Sequence, residues 1–266
     1  MAVDYRNQTT LITGASSGLG AEFARRLAAR GSHLVLVARR GDRLESLATS
    51  LSTAHGVSVT PIAMDLAVPG AGAKLAAAVA EHGIEISSLI NNAGFGTHRL
   101  FHEADPQRIT DEITLNVTSL TEISRAFIEP LRSRGTGVLV NVASIAAYQP
   151  GPTLAVYAAT KAFVLSFTEA LWYESRGTGL RVMALSPGAT QTEFFDVAGQ
   201  GADGGTRRMS AEHVVGLAMT ALDRRNPPAS LVTGRANRLM IGASRLAGRR
   251  ITTAAIGAMM SAGSRR

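Results

Sequence analysis

The chain has 266 residues and no cysteine, with 45% apolar and 18% charged residues. This composition is typical of a globular protein with a large apolar core, and it excludes disulfides, thiolate metal sites and cysteine nucleophiles. The net charge of +7 is uneven, because nine arginines and no acid lie between 224 and 266, which leaves the rest near −2. We therefore expect no nucleic-acid partner, since no basic stripe crosses the body of the chain.

Short apolar runs bounded by turn residues alternate with longer helical patterns along the chain. This alternation predicts an α/β fold with a Rossmann-like doubly wound parallel sheet of about seven strands and helices on both faces. No linker interrupts it, so we predict one domain over 1–266. The predicted strands are Thr9–Thr13, His33–Ala38, Val57–Ala63, Ile86–Ile90, Gly137–Ala143, Leu180–Ser186 and Ser230–Thr233. The predicted helices are Gly18–Arg30, Gly41–Ala54, Ala71–His82, Asp105–Arg132, Leu154–Arg176 and Ser210–Arg224.

A glycine-rich stretch follows the first predicted strand and opens the first helix. Glycines there let backbone N–H groups approach a pyrophosphate at the positive end of the helix dipole. Tight turns also need glycine, but the position after the first strand favours nucleotide binding. The predicted contacts are Gly14, Ser16, Ser17, Gly18, Leu19 and Gly20.

The second strand ends in two arginines where an NAD-selective site would carry an acid. An arginine at this place suits a 2′-phosphate through charge-assisted hydrogen bonds. We take Arg39 as the first choice and Arg40 as the second. The alternative is a pair of solvated arginines at a strand–helix junction.

Two further strand ends carry small or polar residues. Asp65 is placed to accept a hydrogen bond from an adenine amino group, with helix capping as the alternative. The stretch Asn-Asn-Ala-Gly closes the fourth strand, where small residues let a cofactor lie against the backbone and a plain turn is the alternative. The predicted contacts are Asp65, Leu66, Asn91, Ala93 and Gly94.

One of only two lysines in the chain, Lys161, stands four residues after Tyr157 in a predicted helix. This spacing puts both side chains on one helix face, where an ammonium stabilises phenolate. We therefore expect the tyrosine pKa to fall from about 10 toward neutrality. An ordinary pair on a solvated helix is the alternative for this spacing taken alone.

Five motifs occur in order between Thr9 and Thr192: a Thr-Gly-x-x-x-Gly-x-Gly turn, Asn-Asn-Ala-Gly, a serine thirteen residues before a tyrosine, Tyr-x-x-x-Lys, and Pro-Gly after the sixth strand. In this set the chain resembles the short-chain dehydrogenase/reductase family. Val-Ala-Arg-Arg is similar to the NADP-preferring branch.

The resemblance implies a role for each matching residue. Tyr157 would be the general acid that protonates a carbonyl oxygen, and Lys161 would lower its pKa and hold the nicotinamide ribose. Ser144 would orient the substrate oxygen, and Asn116 would support a water that leads protons to the lysine. The resemblance also implies a homodimer or homotetramer. The carboxamide end of the cofactor would contact Pro187, Gly188, Thr190 and Thr192.

The substrate side is predicted from apolar residues near these motifs. Phe95, Tyr148 and Phe194 would flank the substrate, with Pro150 and Phe195 nearby, which favours a small lipophilic ketone, aldehyde or secondary alcohol. The glycine-rich stretch Asp196–Thr206, within 190–210, is interpreted as a mobile substrate loop, either a lid or a plain surface loop.

The C-terminal extension 234–266 is predicted to be a basic amphipathic helix. Docking on the domain or on a partner subunit is the plainest interpretation. Two sharper hypotheses are weak contact with an anionic membrane surface and capture of a CoA-type carrier. The arginines are Arg235, Arg238, Arg245 and Arg249, and the opposite side carries Leu239, Met240, Ala243, Leu246 and Ala247.

The sequence thus predicts an NADP(H)-dependent oxidoreductase, a carbonyl reductase or alcohol dehydrogenase. The alternatives are an NAD-dependent alcohol dehydrogenase of the same fold and a nucleotide-binding regulator without turnover. We assign no metal, since only His98 and His102 have a ligand-like spacing and a solvated loop pair explains them. A cytoplasmic location is expected, because the N-terminus lacks a signal-peptide pattern and no apolar run approaches the roughly 20 residues that span a bilayer.

Overall fold

The computed structural model describes residues 2–263 and contains a sheet of seven parallel strands. The spatial order β3-β2-β1-β4-β5-β6-β7 confirms the predicted doubly wound fold. The order reverses between β1 and β4, where sheets of this kind leave a crevice at the carboxyl ends of the strands. The strands are β1 (Thr9–Thr13), β2 (His33–Ala38), β3 (Val59–Ala63), β4 (Ser88–Asn91), β5 (Val138–Val142), β6 (Arg181–Ser186) and β7 (Ser230–Val232).

Helices cover both faces of the sheet, because its strands are apolar on both sides. Successive strand side chains point to opposite faces. In β2, Leu34 and Leu36 pack with the helices that follow β1, β2 and β6, whereas Val35 and Val37 pack with those that follow β3 and β4. The helices are α1 (Gly18–Ala29), α2 (Gly41–His55), α3 (Ala71–Glu81), α4 (Pro106–Ile113), α5 (Leu120–Arg134), α6 (Ala155–Glu174), α7 (Phe194–Ala198), α8 (Ala211–Leu222), α9 (Arg235–Leu246) and α10 (Arg249–Gly263).

The predicted helix Asp105–Arg132 is wrong as a single element, because a π-helical segment, Thr114–Ser119, separates α4 from α5. Asp105 precedes α4 and its side chain accepts a hydrogen bond from the backbone N–H of Arg108. Such π-helical turns often lie at functional sites, because they displace side chains from the regular helical spacing. Here the segment carries Asn116, whose side chain is fully buried.

The predicted basic extension forms two helices, α9 and α10, and only part of the apolar side of α9 is buried. On α9, Ile241 is buried, whereas Leu239 and Leu246 are 75% and 92% exposed. The side chain of Arg245 lies outside the described residues. The glycine-rich stretch predicted as a loop contains the end of α7 and a short 3-10 turn, Gln200–Asp203. Within residues 2–263, no helix has both the length and the apolarity needed to cross a bilayer.

Candidate active site

A large cavity, here called the central cavity, opens at the carboxyl ends of the strands. Its lining brings the glycine-rich turn together with the Ser-Tyr-Lys set, although the two are more than 120 residues apart in sequence. The predicted site residues that line it are Gly14, Ser16, Ser17, Gly18, Leu19, Arg39, Arg40, Asp65, Leu66, Ala93, Gly94, Phe95, Ser144, Tyr157, Lys161, Pro187, Gly188, Thr190, Thr192 and Phe194. Four others, Gly20, Asn91, Asn116 and Tyr148, are not among the described lining residues.

The glycine-rich turn leaves the start of α1 accessible to an anion. Gly14 and Gly18 have φ angles of +66° and +54°, a region that L-residues with side chains rarely adopt. A Cβ atom on Gly18 would lie 2.9 Å from Cγ2 of Thr192. Ser17 precedes the helix and makes no side-chain capping bond, and the first turn carries no acid. The first N–H groups of α1 are therefore suited to hold a pyrophosphate.

The two predicted arginines occupy different positions beside the glycine-rich turn. Arg40 donates from Nε to the hydroxyl of Ser16, at 3.2 Å, and from Nη2 to Ser16 and Ser17, at 2.9 and 3.0 Å. Its Nη1 pairs with Glu193 at 2.7 Å. Arg39 lines the cavity but is exposed. The second choice of the sequence analysis thus has the closer contact with the glycine-rich turn.

Asn91 is not placed at the cavity, because its side chain points into the sheet interior. It is 2% exposed, and its Nδ2 donates to Ser124 Oγ and to Asn141 Oδ1, both at 3.0 Å. Its neighbour Asn92, which the sequence analysis did not select, lines the cavity instead. Asn92 Nδ2 donates to the carbonyl of Gly14 at 3.1 Å and so fixes the glycine-rich turn to the end of β4.

Asp65 lines the cavity and also stabilises its own turn. Its Oδ1 accepts a hydrogen bond from the backbone N–H of Ala67 at 2.9 Å. The helix-capping alternative is wrong, because Ala67 lies in the turn before α3, whose N-cap is Gly70. The neighbouring Leu66 carbonyl accepts from the hydroxyl of Ser119 at 2.5 Å, which joins this strand end to the π-helical segment.

Ser144, Tyr157 and Lys161 meet at the other end of the central cavity. The Ser144 hydroxyl lies close enough to the Tyr157 phenol to lower its pKa, and it accepts a hydrogen bond from Ala146 N–H at 3.1 Å. Lys161 is 4% exposed, and its Nζ donates to the carbonyl of Val142 at 2.8 Å. The same Nζ lies 5.8 Å from the centroid of the Tyr157 ring. A phenol, a hydroxyl and an ammonium thus converge on one point of the cavity.

The expected fall in the pKa of Tyr157 is wrong. Burial raises the pKa of Tyr157 to about 12, against a lowering effect of the nearby Ser144 hydroxyl. Burial also lowers the pKa of Lys161 from 10.5 to about 8, partly offset by the nearby Glu112 carboxylate. Both shifts have the same cause, since loss of water disfavours whichever form carries charge.

Asn116 lies behind the cluster of Ser144, Tyr157 and Lys161 and is not among the described residues of the cavity wall. Its Oδ1 accepts from Phe95 N–H at 3.1 Å, while its Nδ2 donates to the Phe95 carbonyl at 2.8 Å and to Thr160 Oγ1 at 3.1 Å. A Cβ on Gly94 would lie 2.9 Å from Asn116 Oδ1 and 3.2 Å from Lys161 Nζ. Asn116 therefore joins the strand end before Phe95 to the helix that carries Tyr157.

Glu112 is a buried acid close to this cluster that the sequence analysis did not select. It is fully buried, and neither of its carboxylate oxygens has a hydrogen-bond partner. Burial raises its pKa, while Thr97, Arg108 and Lys161 act in the opposite direction. The sequence gives little indication of this burial, because a glutamate in a mostly polar helix such as α4 is normally solvated.

The part of the cavity near Ser144 and Tyr157 is also bounded by the turn after β6 and by the C-terminal helices. The carbonyl of Pro187 accepts from Ile145 N–H at 3.0 Å, and Thr190 Oγ1 donates to the carbonyl of Gly188 at 2.9 Å. Asn237 of α9 packs directly on Gly188. The extension also contributes apolar lining that the sequence analysis did not assign to the site, namely Met240, Ile256, Met259 and Met260.

Of the predicted substrate contacts, Phe95 and Phe194 line the cavity and Tyr148 does not. The Tyr148 hydroxyl instead faces Ser186 Oγ at 3.5 Å, and its ring packs with Leu165 and its neighbours beside β5 and β6. The Phe194 ring lies 5.3 Å from that of Tyr157. Among the residues that the structure describes, no cluster of three or more acidic or histidine side chains could hold a metal.

Comparison with known proteins agrees with this geometry. Residues 8–202 match the family model described as short chain dehydrogenase. A very-long-chain 3-oxoacyl-CoA reductase of Phaeosphaeria nodorum is 35% identical over 185 residues, which cover 68% of this chain but only 54% of that protein, so the match spans about half of its length.

Two solved structures are similar over most of their length. A short-chain dehydrogenase from Sphingobium yanoikuyae in complex with NADPH is 36% identical, with a TM-score of 0.79 over 90% of this chain and 93% of that one. The bulky-bulky ketone specific alcohol dehydrogenase from Comamonas testosteroni is 31% identical, with a TM-score of 0.75 over 90% and 92%. On the family match and these likenesses, the chain belongs to the short-chain dehydrogenase family of oxidoreductases.

Proposed function

We propose that this chain is an NADP(H)-dependent carbonyl reductase, or an alcohol dehydrogenase in the reverse direction, with Tyr157 as general acid and base. The proposal depends on one observation, that Ser144, Tyr157 and the buried Lys161 line the same central cavity as the glycine-rich turn. A bound nicotinamide supplies the hydride for the carbonyl carbon. Tyr157 then donates its proton to the substrate oxygen, while Ser144 holds that oxygen in place.

The surrounding residues have supporting roles in this proposal. Lys161 binds the ribose hydroxyls beside the nicotinamide, and its charge stabilises the phenolate left after proton transfer. Asn116 keeps the strand end at Phe95 fixed against the helix of Tyr157. Its Oδ1 and Nδ2 are already used in these bonds, so we assign it a positioning role.

We propose NADP(H) rather than NAD(H) because positive charge is concentrated at the adenosine end. Arg40 is held on Ser16 and Ser17, with Arg39 on the cavity wall and Arg43 one turn further along α2. A 2′-phosphate there would gain charge-assisted hydrogen bonds that a ribose hydroxyl lacks. The NADPH bound to the relative from Sphingobium yanoikuyae supports the same choice.

We propose a lipophilic carbonyl compound as substrate. Beside the catalytic cluster, the cavity is lined by Phe95, Phe194 and side chains of the C-terminal helices, among them Met240 and Ile256. Burial of an apolar substrate against this lining contributes favourably to the binding free energy, because water is excluded from both apolar surfaces. The same lining offers few hydrogen-bond partners to the hydroxyl groups of a polyol. The bulky ketones and acyl-CoA compounds named for two relatives support this substrate class.

A panel of carbonyl compounds assayed with NADPH and with NADH tests the proposal. We expect bulky apolar ketones or aldehydes to be reduced with NADPH, and Tyr157→Phe to bind cofactor without turnover. Turnover confined to small hydrophilic sugars would reject the substrate class. Equal affinity for both cofactors would favour the NAD-dependent alternative, and cofactor binding without turnover would favour a regulator.

Three further expectations stay predictions. A homodimer or homotetramer and a cytoplasmic location follow from the family resemblance and the sequence alone. Membrane contact or binding of a CoA-type carrier is supported by exposed Leu239 and Leu246 on a helix that also carries exposed Arg235 and Arg238. Co-sedimentation with anionic liposomes, compared with a variant that lacks the extension, separates membrane contact from plain docking.

A further inference from the structure

Glu193 forms an ion-pair cluster with two arginines at the adenosine end of the central cavity. One carboxylate oxygen lies 2.7 Å from Arg40 Nη1 and the other 2.5 Å from Arg43 Nη1. Hydrogen bonds from the two arginines lower the pKa of Glu193 to about 2, so the carboxylate stays charged at neutral pH. These contacts join the start of α2 to a residue about 150 positions later in the chain.

The position of this carboxylate matters because Arg40 is already fixed by the glycine-rich turn. Its Nε and Nη2 donate to Ser16 and Ser17, and only Nη1 points to Glu193. A 2′-phosphate bound beside this turn would need the same Nη1 and the guanidinium of Arg43. Two anions cannot share the cluster without repulsion, and Glu193 cannot relieve it by protonation near neutral pH.

Glu193 is also the residue before Phe194, which lies on the catalytic tyrosine. The Phe194 ring is 5.3 Å from the Tyr157 ring, and a Cβ on Gly96 would meet both rings. The Glu193 carbonyl accepts from Asp196 N–H at 3.1 Å, in the first turn of α7. Displacing the carboxylate therefore acts on the segment that covers the substrate side of Tyr157.

We propose that Glu193 is a specificity-determining residue that competes with the 2′-phosphate of the cofactor for Arg40 and Arg43. Displacement of its carboxylate by the phosphate releases α7 and Phe194 from their position over Tyr157. A cofactor without the 2′-phosphate leaves the cluster intact and the segment in place. This inference rests on the proposed NADP(H) function and adds the residue that links cofactor choice to the substrate side.

Binding of two adenosine fragments tests competition by Glu193 separately from the proposed preference for NADP(H). Calorimetry with 2′,5′-ADP and with 5′-AMP is done on the full chain, on Glu193→Gln and on Glu45→Gln. Glu45→Gln is the control because it makes the same change in net charge. Glu45 is an exposed glutamate on α2, and no described hydrogen bond or ion pair joins its side chain to Arg40, Arg43 or Glu193. We expect Glu193→Gln to bind 2′,5′-ADP about tenfold more tightly than the parent, with 5′-AMP binding unchanged and Glu45→Gln like the parent.

The pattern of results tells which idea fails. If the parent prefers 2′,5′-ADP but Glu193→Gln binds it equally or more weakly, competition is refuted and the NADP(H) preference stands. If the parent does not discriminate but Glu193→Gln does, the competition is supported and the preference of the parent is refuted. If neither protein discriminates, the arginines do not bind the phosphate and both ideas are refuted.

Hydrogen exchange of the 193–206 segment tests the mechanical link. In the parent, 2′,5′-ADP should increase exchange there and 5′-AMP should not. In Glu193→Gln, exchange should already be high and change little with either fragment. An increase of the same size with both fragments in the parent would overturn the link between the phosphate and Phe194.

Discussion

Replacing Lys161 with methionine should stabilise the protein at pH 7 while it abolishes turnover. Lys161 is 4% exposed, and its Nζ has the Val142 carbonyl as its hydrogen-bond acceptor. Burial lowers its pKa from 10.5 to about 8, which means that folding disfavours the charged form. The protein therefore carries a destabilising charge in the central cavity, which agrees with the role proposed for Lys161.

The size of the effect follows from this pKa shift. A fall from 10.5 to about 8 corresponds to roughly 3 kcal/mol, at about 1.4 kcal/mol per pKa unit. Methionine removes that cost but leaves the Val142 carbonyl without its partner, which costs about 1 kcal/mol. We therefore expect Lys161→Met to gain about 2 kcal/mol in the free energy of unfolding at pH 7.

The pH dependence distinguishes this cause from a general packing effect. A lysine whose pKa is lower in the folded state stabilises the fold above the unfolded pKa of 10.5, and that contribution is lost as pH falls through about 8. As pH rises from 8 to 10.5, the free energy of unfolding of the parent should therefore increase by roughly 3 kcal/mol relative to that of the variant. The variant lacks this lysine and should not show the increase.

Urea unfolding without cofactor at a series of pH values measures both quantities. Lys74→Met is the matched control, because Lys74 is the only other lysine and is exposed on α3. It should change stability little at any pH. A Lys161→Met variant less stable than the parent at pH 7, by an amount independent of pH, would refute the reasoning.

Three other replacements test separate parts of the structure. Tyr157→Phe should lower turnover by about 10²–10⁴-fold while the Kd for NADPH stays close to the parent value, as fluorescence titration would show. Glu112→Gln should raise the free energy of unfolding at pH 7 more than at pH 4, because burial raises the pKa of this carboxyl and its ionised form has no hydrogen-bond partner; an equal effect at both pH values would count against it. Gly137→Ala should cost about 1–3 kcal/mol in urea unfolding, since φ is +93° and a Cβ would collide with the Ser87 carbonyl, whereas Gly56→Ala, at φ +66° in open space, should cost less.

The fold could be predicted because its signals are local. The first two strands have the predicted bounds, and the other five differ by at most two residues at either end. Their apolar runs are continuous, as buried parallel strands require, and turn residues mark their limits. The π-helical segment Thr114–Ser119 was missed because neither glycine nor proline marks it, and only packing around Asn116 reveals it.

That Ser144, Tyr157 and Lys161 lie together could be predicted, because their residue types and spacing form one motif, and all three line the central cavity. The site was not predicted where the property depends on distant neighbours. The cluster of Arg40 with Glu193 joins segments about 150 residues apart, so no local pattern indicates it. The direction of the tyrosine pKa shift depends on how much water burial removes, which spacing along a helix does not show.

The two opposite pKa shifts together favour reduction near neutral pH. A phenol with a pKa of about 12 keeps its proton for donation, and Lys161 with a pKa of about 8 is still mostly charged at pH 7. Since kcat/KM for the cofactor reports groups of the free enzyme, this quantity should fall in the reductive direction as pH rises through about 8. The fall would come from loss of the Lys161 charge, because Tyr157 remains protonated over that range. A reductive kcat/KM that stays constant from pH 7 to pH 10 would contradict both the assigned role of Lys161 and the depth of its burial.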